Sequence, residues 1–272
     1  MTLPVIGAAL GVGDLPAYRD WLFEKDRDLE LQSFWSAEML NTESWKDPVA
    51  EARRQLDGWA GRLGIHGPFW GLDFASFDID IRAIVAKRMM QGLDVCEALG
   101  ATQMVVHSPF STWDHYNLDM YDDGRARIFE TTHETLGPAV KRAADAGIEI
   151  VLENIEDGNP ADRKALVESF ASDALKLSID TGHAHYAHGI CNAPPVDYYV
   201  KSAGNLLAHV HLQDADAHAD RHWSIGRGSI HWHAVFDALA KLDAYPRLIL
   251  ELKNRAEIPA SMAWLEAEGL GQ

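Results

Sequence analysis

The sequence predicts an α/β fold, a single (β/α)8 TIM barrel over residues 1–272. Three observations predict it. Eight short apolar stretches of strand length recur along the chain. Amphipathic helical patterns separate them, which argues for a parallel sheet. Eight such units in 272 residues fit a closed barrel better than an open, doubly wound sheet. No linker or low-complexity run divides the chain. The pair Gly11 and Gly13 lacks the third glycine of a dinucleotide-binding turn.

In chain order, the first strand is expected at Pro4–Leu10, in a stretch without the basic flank of a signal peptide. Leu29–Phe34 is the second and Leu63–His66 the third. A helical pattern over Ile81–Leu99 leads to the fourth, Gln103–His107. Another over Arg125–Ala146 leads to the fifth, Ile148–Glu153. The helix Pro160–Phe170 precedes the sixth strand, Leu175–Asp180. Leu206–Leu212 is the seventh, being apolar, short and followed by polar residues. The helix His233–Leu242 then leads to the eighth, Arg247–Leu252, and Pro259–Glu268 is the last helix.

Composition narrows the class. A hydrophobic share of 47% and a charged share of 24% are those of a soluble globular protein with a large core. Two cysteines, Cys96 and Cys191, cannot form a disulfide framework and point to a reducing, cytoplasmic setting. No apolar run approaches the roughly 20 residues of a membrane span. The net charge of −17 disfavours nucleic acid as a partner, because phosphates call for a basic face. The loops after the first three strands, GVGDLPAYRD, FWSAEMLNTESWKDP and GPFWGLDFASFD, are acidic or neutral.

The active site of such a barrel lies at the C-terminal ends of its strands. Six consecutive strands close on a residue able to bind metal: His66, His107, Glu153, Asp180, His211 and Glu251. His183 follows Asp180 by three residues. Asp220 and His222 stand two apart in the DRH loop, so in extended backbone both can face one point. Imidazoles and carboxylates are ligands of zinc and manganese. A divalent metal site at the strand ends is therefore expected. His209, one pleat below His211, is expected to lie behind the ligands or in the core. Asn154 and Asp214 are expected to orient ligands. The remaining histidines are expected to be non-ligands, with His115 in a loop and His133 on a helix face.

With these residues in place, the chain resembles the xylose isomerase-like TIM barrel superfamily. That superfamily includes sugar phosphate isomerases and epimerases and the endonuclease IV type of apurinic/apyrimidinic endonuclease. The likeness is densest from Ile148 to Lys253. It implies a four-ligand site at Glu153, Asp180, His211 and Glu251, as in the epimerases. The endonuclease pattern implies two more groups: His66, His107 and a bridging Glu153, and His183, Asp220 and His222. All nine positions are filled. The resemblance thus implies up to three Zn(II), or a single Mn(II), Mg(II) or Co(II) in the four-ligand site.

The resemblance implies two chemistries. In the first, a metal-dependent isomerase, epimerase or related lyase acts on a small sugar or keto-sugar. Glu153 and Glu251 move a proton through a metal-stabilised enediolate. In the second, a polynuclear zinc hydrolase of the endonuclease IV kind cleaves a phosphodiester, another ester or a glycosidic bond, with DNA disfavoured by the charge. The aromatics Phe34, Trp35, Phe69, Trp70, Phe110, Trp113 and Trp223 lie after strand ends or in the DRH loop, and Trp35, Trp70, Trp113 and Trp223 are expected to contact a sugar. Arg221, Arg227 and Lys253 can hold a phosphate or carboxylate, and the glycines of GRG at Gly226–Gly228 are expected to be structural. The sequence leaves the oligomeric state open.

Overall fold

The computed structural model describes residues 3–272. Eight parallel strands close in chain order. They are β1 (Gly7–Leu10), β2 (Leu29–Leu31), β3 (Leu63–His66), β4 (Gln103–His107), β5 (Glu149–Glu153), β6 (Leu175–Asp180), β7 (Leu207–Leu212) and β8 (Arg247–Leu250). β8 pairs back onto β1, with Gly7 opposite Ile249. The fold is the (β/α)8 barrel that the sequence predicts. Among the described residues no helix is long and apolar enough to cross a membrane.

The five helical patterns appear as Ile79–Leu99, Gly124–Ala146, Pro160–Ser169, Trp232–Leu239 and Ile258–Ala267. Local chemistry sets their ends. The Asp78 side chain accepts from the backbone N–H groups of Asp80 and Ile81 and so starts the first of these. Gly100, at φ 74°, ends it in the left-handed region that glycine enters without penalty.

Three strands are shorter than their apolar stretches by two or three residues, and β5 and β7 by one. Pro4 has no N–H for a ladder, and this segment pairs with the chain's last residue instead. Ile6 N donates to Gln272 O at 3.0 Å and Gln272 N to Pro4 O at 2.9 Å. β2 ends at Leu31 and Phe34 turns into the core. β8 ends at Leu250, although Glu251 N still donates to Leu212 O at 3.1 Å.

The register sorts side chains by face. Glu30 pairs with Gly64, Gly64 with Gln103, and Gln103 with Glu149. Above that layer His66 pairs with Val105, His107 with Glu153, and Asp180 with His211. These residues share the lumen face, because side chains alternate along a strand. The other face carries Leu31, Ile65, Met104, Leu152, Leu177 and Leu250, all buried against the helices. The apolar core is thus a shell between sheet and helices, while the lumen is polar. A register shift between Leu177 and Ser178 brings His209 opposite Ser178 and His211 opposite Asp180. Removing shell volume should cost stability without touching the lumen. Leu177→Ala is expected to lose about 2–5 kcal/mol in denaturant unfolding. A loss below about 1 kcal/mol would show that this layer is loosely packed.

Candidate metal centre

The nine residues expected to bind metal converge at the C-terminal mouth in three groups, and Glu30, His209 and His211 make a fourth cluster of donors deeper in the lumen. His66, His107 and Glu153 form one; Glu153, Asp180, His211 and Glu251 form the second; His183, Asp220 and His222 form the third. In each group the donor atoms lie within 4.8 Å of one another, and Glu153 belongs to two groups. Two donors on a tetrahedral zinc are about 3.3 Å apart, given bond lengths near 2 Å. The observed pairs bracket that value. His107 Nε2 lies 3.4 Å and His66 Nε2 3.8 Å from Glu153 Oε2. His211 Nδ1 lies 3.4 Å from Glu251 Oε2. His183 Nε2 lies 3.5 Å and His222 Nε2 3.1 Å from Asp220 Oδ2.

The far ring nitrogens explain the orientation. A carbonyl oxygen only accepts, so the nitrogen facing it carries the proton. His66 Nδ1 donates to Gly67 O (2.9 Å), His183 Nδ1 to Asn154 O (3.0 Å) and His222 Nδ1 to Glu251 O (3.1 Å). In each neutral ring the lone pair is then on Nε2, the atom that points into its group. His211 is turned the other way. Its Nδ1 faces Glu153 Oε1 at 2.5 Å, and its Nε2 faces Glu30.

The donor set fits divalent cations. Four carboxylates crowd one largely buried site, and Glu153 Oε2 is buried without a hydrogen-bond partner. Without cations, protons take their place. Burial opposes charge on His211, but Glu251, Glu30 and Glu153 outweigh it and hold its pKa well above the usual range. Burial likewise opposes charge on His222, and Asp220 and Glu251 raise it to about 9. Burial pushes the Asp180 carboxyl up to about 6, against the pull of His183. His107 is the exception, since burial drives it down to about 3. Such shifts mark groups whose charge needs a counter-charge.

Loops hold the third group in place. The backbones of Asp214 and Trp223 bond to each other at 2.9 and 3.0 Å and close the base of the DRH loop. Lys253 N donates to His222 O at 3.0 Å and ties the loop to the end of β8. His222 itself sits at φ 49°, a left-handed conformation uncommon outside glycine. Gln213, which the sequence reading passed over, bridges two groups. Its amide donates to Asp180 Oδ1 (3.1 Å) and Asp220 Oδ1 (2.8 Å), and its carbonyl accepts from His222 N (2.7 Å). A Cβ on Gly182 would meet that amide at 2.2 Å, so only glycine leaves room for it. Asn154 clamps the Asp180 backbone through both amide atoms, at 2.9 and 3.1 Å. Among the described residues, Asp214 makes no hydrogen bond to a side chain of the three groups. Its carboxylate accepts from the N–H groups of Ala215, Ile230 and Gly226 and from Trp232 Nε1, which makes it the anchor of the loop.

The expected substrate contacts divide. Phe69 stands over the first group, with ring centroids 4.8 Å from His66 and 4.9 Å from His107. Trp35 and Trp70 pack on Phe69 at 6.1 and 5.1 Å. Trp113 is exposed on the helix Thr112–Asn117, while Phe34 and Phe110 are core residues. The guanidinium of Arg221 is engaged by Asp216, with Nη2 2.9 Å from Oδ2. Arg221 and Arg227 both lie over Trp223, 5.3 and 4.9 Å from the ring centre. Lys253 is exposed. His115 lies on a helix, not in a loop, and the helical His133 stacks on Phe170 at 3.8 Å. Neither joins a group, nor do His185, His188, His218, His231 and His233. His209 lies below His211 with its ring 4.5 Å away, and it contacts Glu30, a second residue absent from the sequence reading.

Comparison with known proteins places this geometry in a family. Residues 34–268 match the description xylose isomerase-like TIM barrel. A protein of Thermus thermophilus, solved after soaking with ZnCl2, is 26% identical, covers 98% of this chain and 99% of that one, and superposes with a TM-score of 0.73. A D-tagatose 3-epimerase-like protein is 21% identical over 98% of both chains, with a TM-score of 0.78. A 3-keto-D-glucoside 4-epimerase from E. coli is 18% identical over 97% of this chain and 99% of that one, with a TM-score of 0.70. The uncharacterized protein MJ1311 of Methanocaldococcus jannaschii is 26% identical over 208 residues, 73% of this chain and 67% of that protein. With the matched residues spanning six of the eight barrel strands, the chain belongs to the xylose isomerase-like TIM barrel family.

Proposed function

We propose that this single-domain chain is a divalent-metal-dependent isomerase or epimerase of a small sugar or keto-sugar. The observation that carries the reading is the pair Glu153 and Glu251, whose donor atoms come together with Asp180 and His211. Glu153 reaches the centre from β5 and Glu251 from the end of β8. A pair of carboxylates set around one substrate carbon can take a proton from it and return one to a neighbouring carbon or to the other face. Glu153 is 1% exposed, so it would act in a site from which bulk water is excluded. Bound divalent metal would hold the carbonyl and hydroxyl oxygens of the substrate and offset the charge that grows on them. Phe69, Trp35 and Trp70 form an aromatic wall beside the first group, suited to the C–H face of a sugar. Likeness to sugar epimerases in fold supports the same reading.

A second reading is a polynuclear zinc hydrolase. The specific observation behind it is that all three groups are complete and share Glu153. Metal content per chain, on protein purified without chelator, tests both. Proton exchange into a keto-sugar from D2O, with one to three divalent metals per chain, is the isomerase outcome. About three zinc per chain with ester or glycoside cleavage and no exchange would replace it with the hydrolase.

A further inference from the structure

Glu30 is a carboxylate in the barrel lumen, 2% exposed, on a strand otherwise built of leucine. Burial of a charge without compensation is costly. Among the described residues, no lysine or arginine forms an ion pair with Glu30. Its contacts are imidazole and amide groups. Both of its oxygens lie 3.1 Å from His211 Nε2. Gln32 Nε2 donates to its Oε1 at 3.2 Å and also contacts Glu251. His209 Nε2 lies 3.3 Å from its Oε2 but off the line of a good hydrogen bond. His209 Nδ1 in turn lies 2.8 Å from Ser178 Oγ.

An ionised carboxylate only accepts, so the nitrogen between its two oxygens carries a proton. Nδ1 faces carboxylates as well, Glu153 Oε1 at 2.5 Å and Glu251 Oε2 at 3.4 Å, so a cation held by those two carboxylates would take the Nδ1 lone pair while Glu30 keeps the proton on Nε2. The other three oriented rings achieve the converse with backbone carbonyls. A carboxylate is a stronger acceptor than a carbonyl and also makes the ring more basic.

We propose that Glu30 is a positioning residue of the metal centre, holding His211 in the tautomer that presents Nδ1 to the cation. This rests on the reading above that His211 is a ligand. Gln32 links the same carboxylate to Glu251, so one buried network sets two members of the four-residue group. His209, being poorly aligned, acts as a lesser support from below.

The test uses the full chain loaded with one metal at a time. In zinc-loaded protein labelled with 15N-histidine, His211 is expected to show a metal-bound Nδ1 and a protonated Nε2. Coordination through Nε2 with the proton on Nδ1 would overturn the proposal without any variant. By competition titration, Glu30→Ala is expected to weaken Co(II) binding about 10–100-fold and to alter the absorption bands of the bound cobalt. Glu30→Gln keeps an acceptor without its charge, so it is expected to recover part of the loss and most of the spectrum. Unchanged affinity and spectrum in Glu30→Ala would sink the proposal. His211→Ala separates the two levels of the argument. If it too leaves cobalt binding unchanged, then His211 is no ligand and the reading beneath the proposal has failed.

Discussion

Glu153→Gln is expected to abolish turnover and to cost metal in two groups at once. The residue belongs to both the His66–His107 group and the four-residue group. Its carboxylate is buried, 2.5 Å from His211 Nδ1 through Oε1 and 3.4 Å from His107 Nε2 through Oε2. The amide has nearly the same shape but no charge, and its NH2 would point a donor at an imidazole lone pair or a cation. The loss of a general base alone is worth roughly 10²–10⁴ in rate. Loss of a bridging charge adds to that through weaker metal binding. Two measurements check it, metals per chain by elemental analysis and deuterium uptake from D2O into a panel of keto-sugars. Full metal with activity cut about a hundredfold would keep the acid/base role and remove the ligand role. Full metal with full exchange would remove both, and the isomerase reading with them. Glu251→Gln offers the contrast. Glu251 serves one group only, so its variant is expected to keep the metal of the other two groups.

Much of the fold and of the candidate site is legible in the sequence, for a reason particular to this architecture. Barrel strands end where their side chains change from packing to chemistry, so His66, His107, Glu153 and Asp180 each close a strand and His211 stands one residue before the end of β7. Glu30 escapes because it lies inside its strand, but a signal is there. Asp28, Glu30 and Gln32 alternate with Leu29 and Leu31, which is period two with the polar face towards the lumen. The lumen here holds Glu30, Gln103, Glu149, His209 and Arg247 where leucine or valine is the ordinary filling, and strand boundaries alone do not reveal that. Gln213 takes the orienting role expected of Asp214, because the chain leaves β7 at Leu212. Beyond it, direction depends on turns and not on pleat, so Gln213 reaches Asp180 and Asp220 while Asp214 ties down the loop. The engagement of Arg221 by Asp216 has the same origin, a contact made inside one irregular loop.

Asp220→Ala combined with His222→Ala is expected to remove one metal per chain and leave the rest bound. The third group would keep only His183, and a single imidazole does not hold a divalent ion against water. The loop should survive, because its anchor is Asp214 with four donors and the Asp214–Trp223 bridge, neither of which passes through the mutated side chains. Asp180 should also stay in place. Asn154 holds its backbone, and Gln213 keeps its bond to Oδ1 while losing the one to Asp220. Elemental analysis before and after substitution reads the result, and unchanged stoichiometry would reduce DRH to a turn motif. The same variant also divides the two chemistries. An isomerase working through Glu153 and Glu251 needs the four-residue group, so proton exchange should persist within about tenfold of the parent. A hydrolase that uses the third cation to stabilise its leaving group should lose roughly two to three orders of magnitude or more. Retained exchange with one metal fewer would place the reaction in the four-residue group, with DRH as a neighbouring site that binds metal or substrate without taking part in the proton transfer.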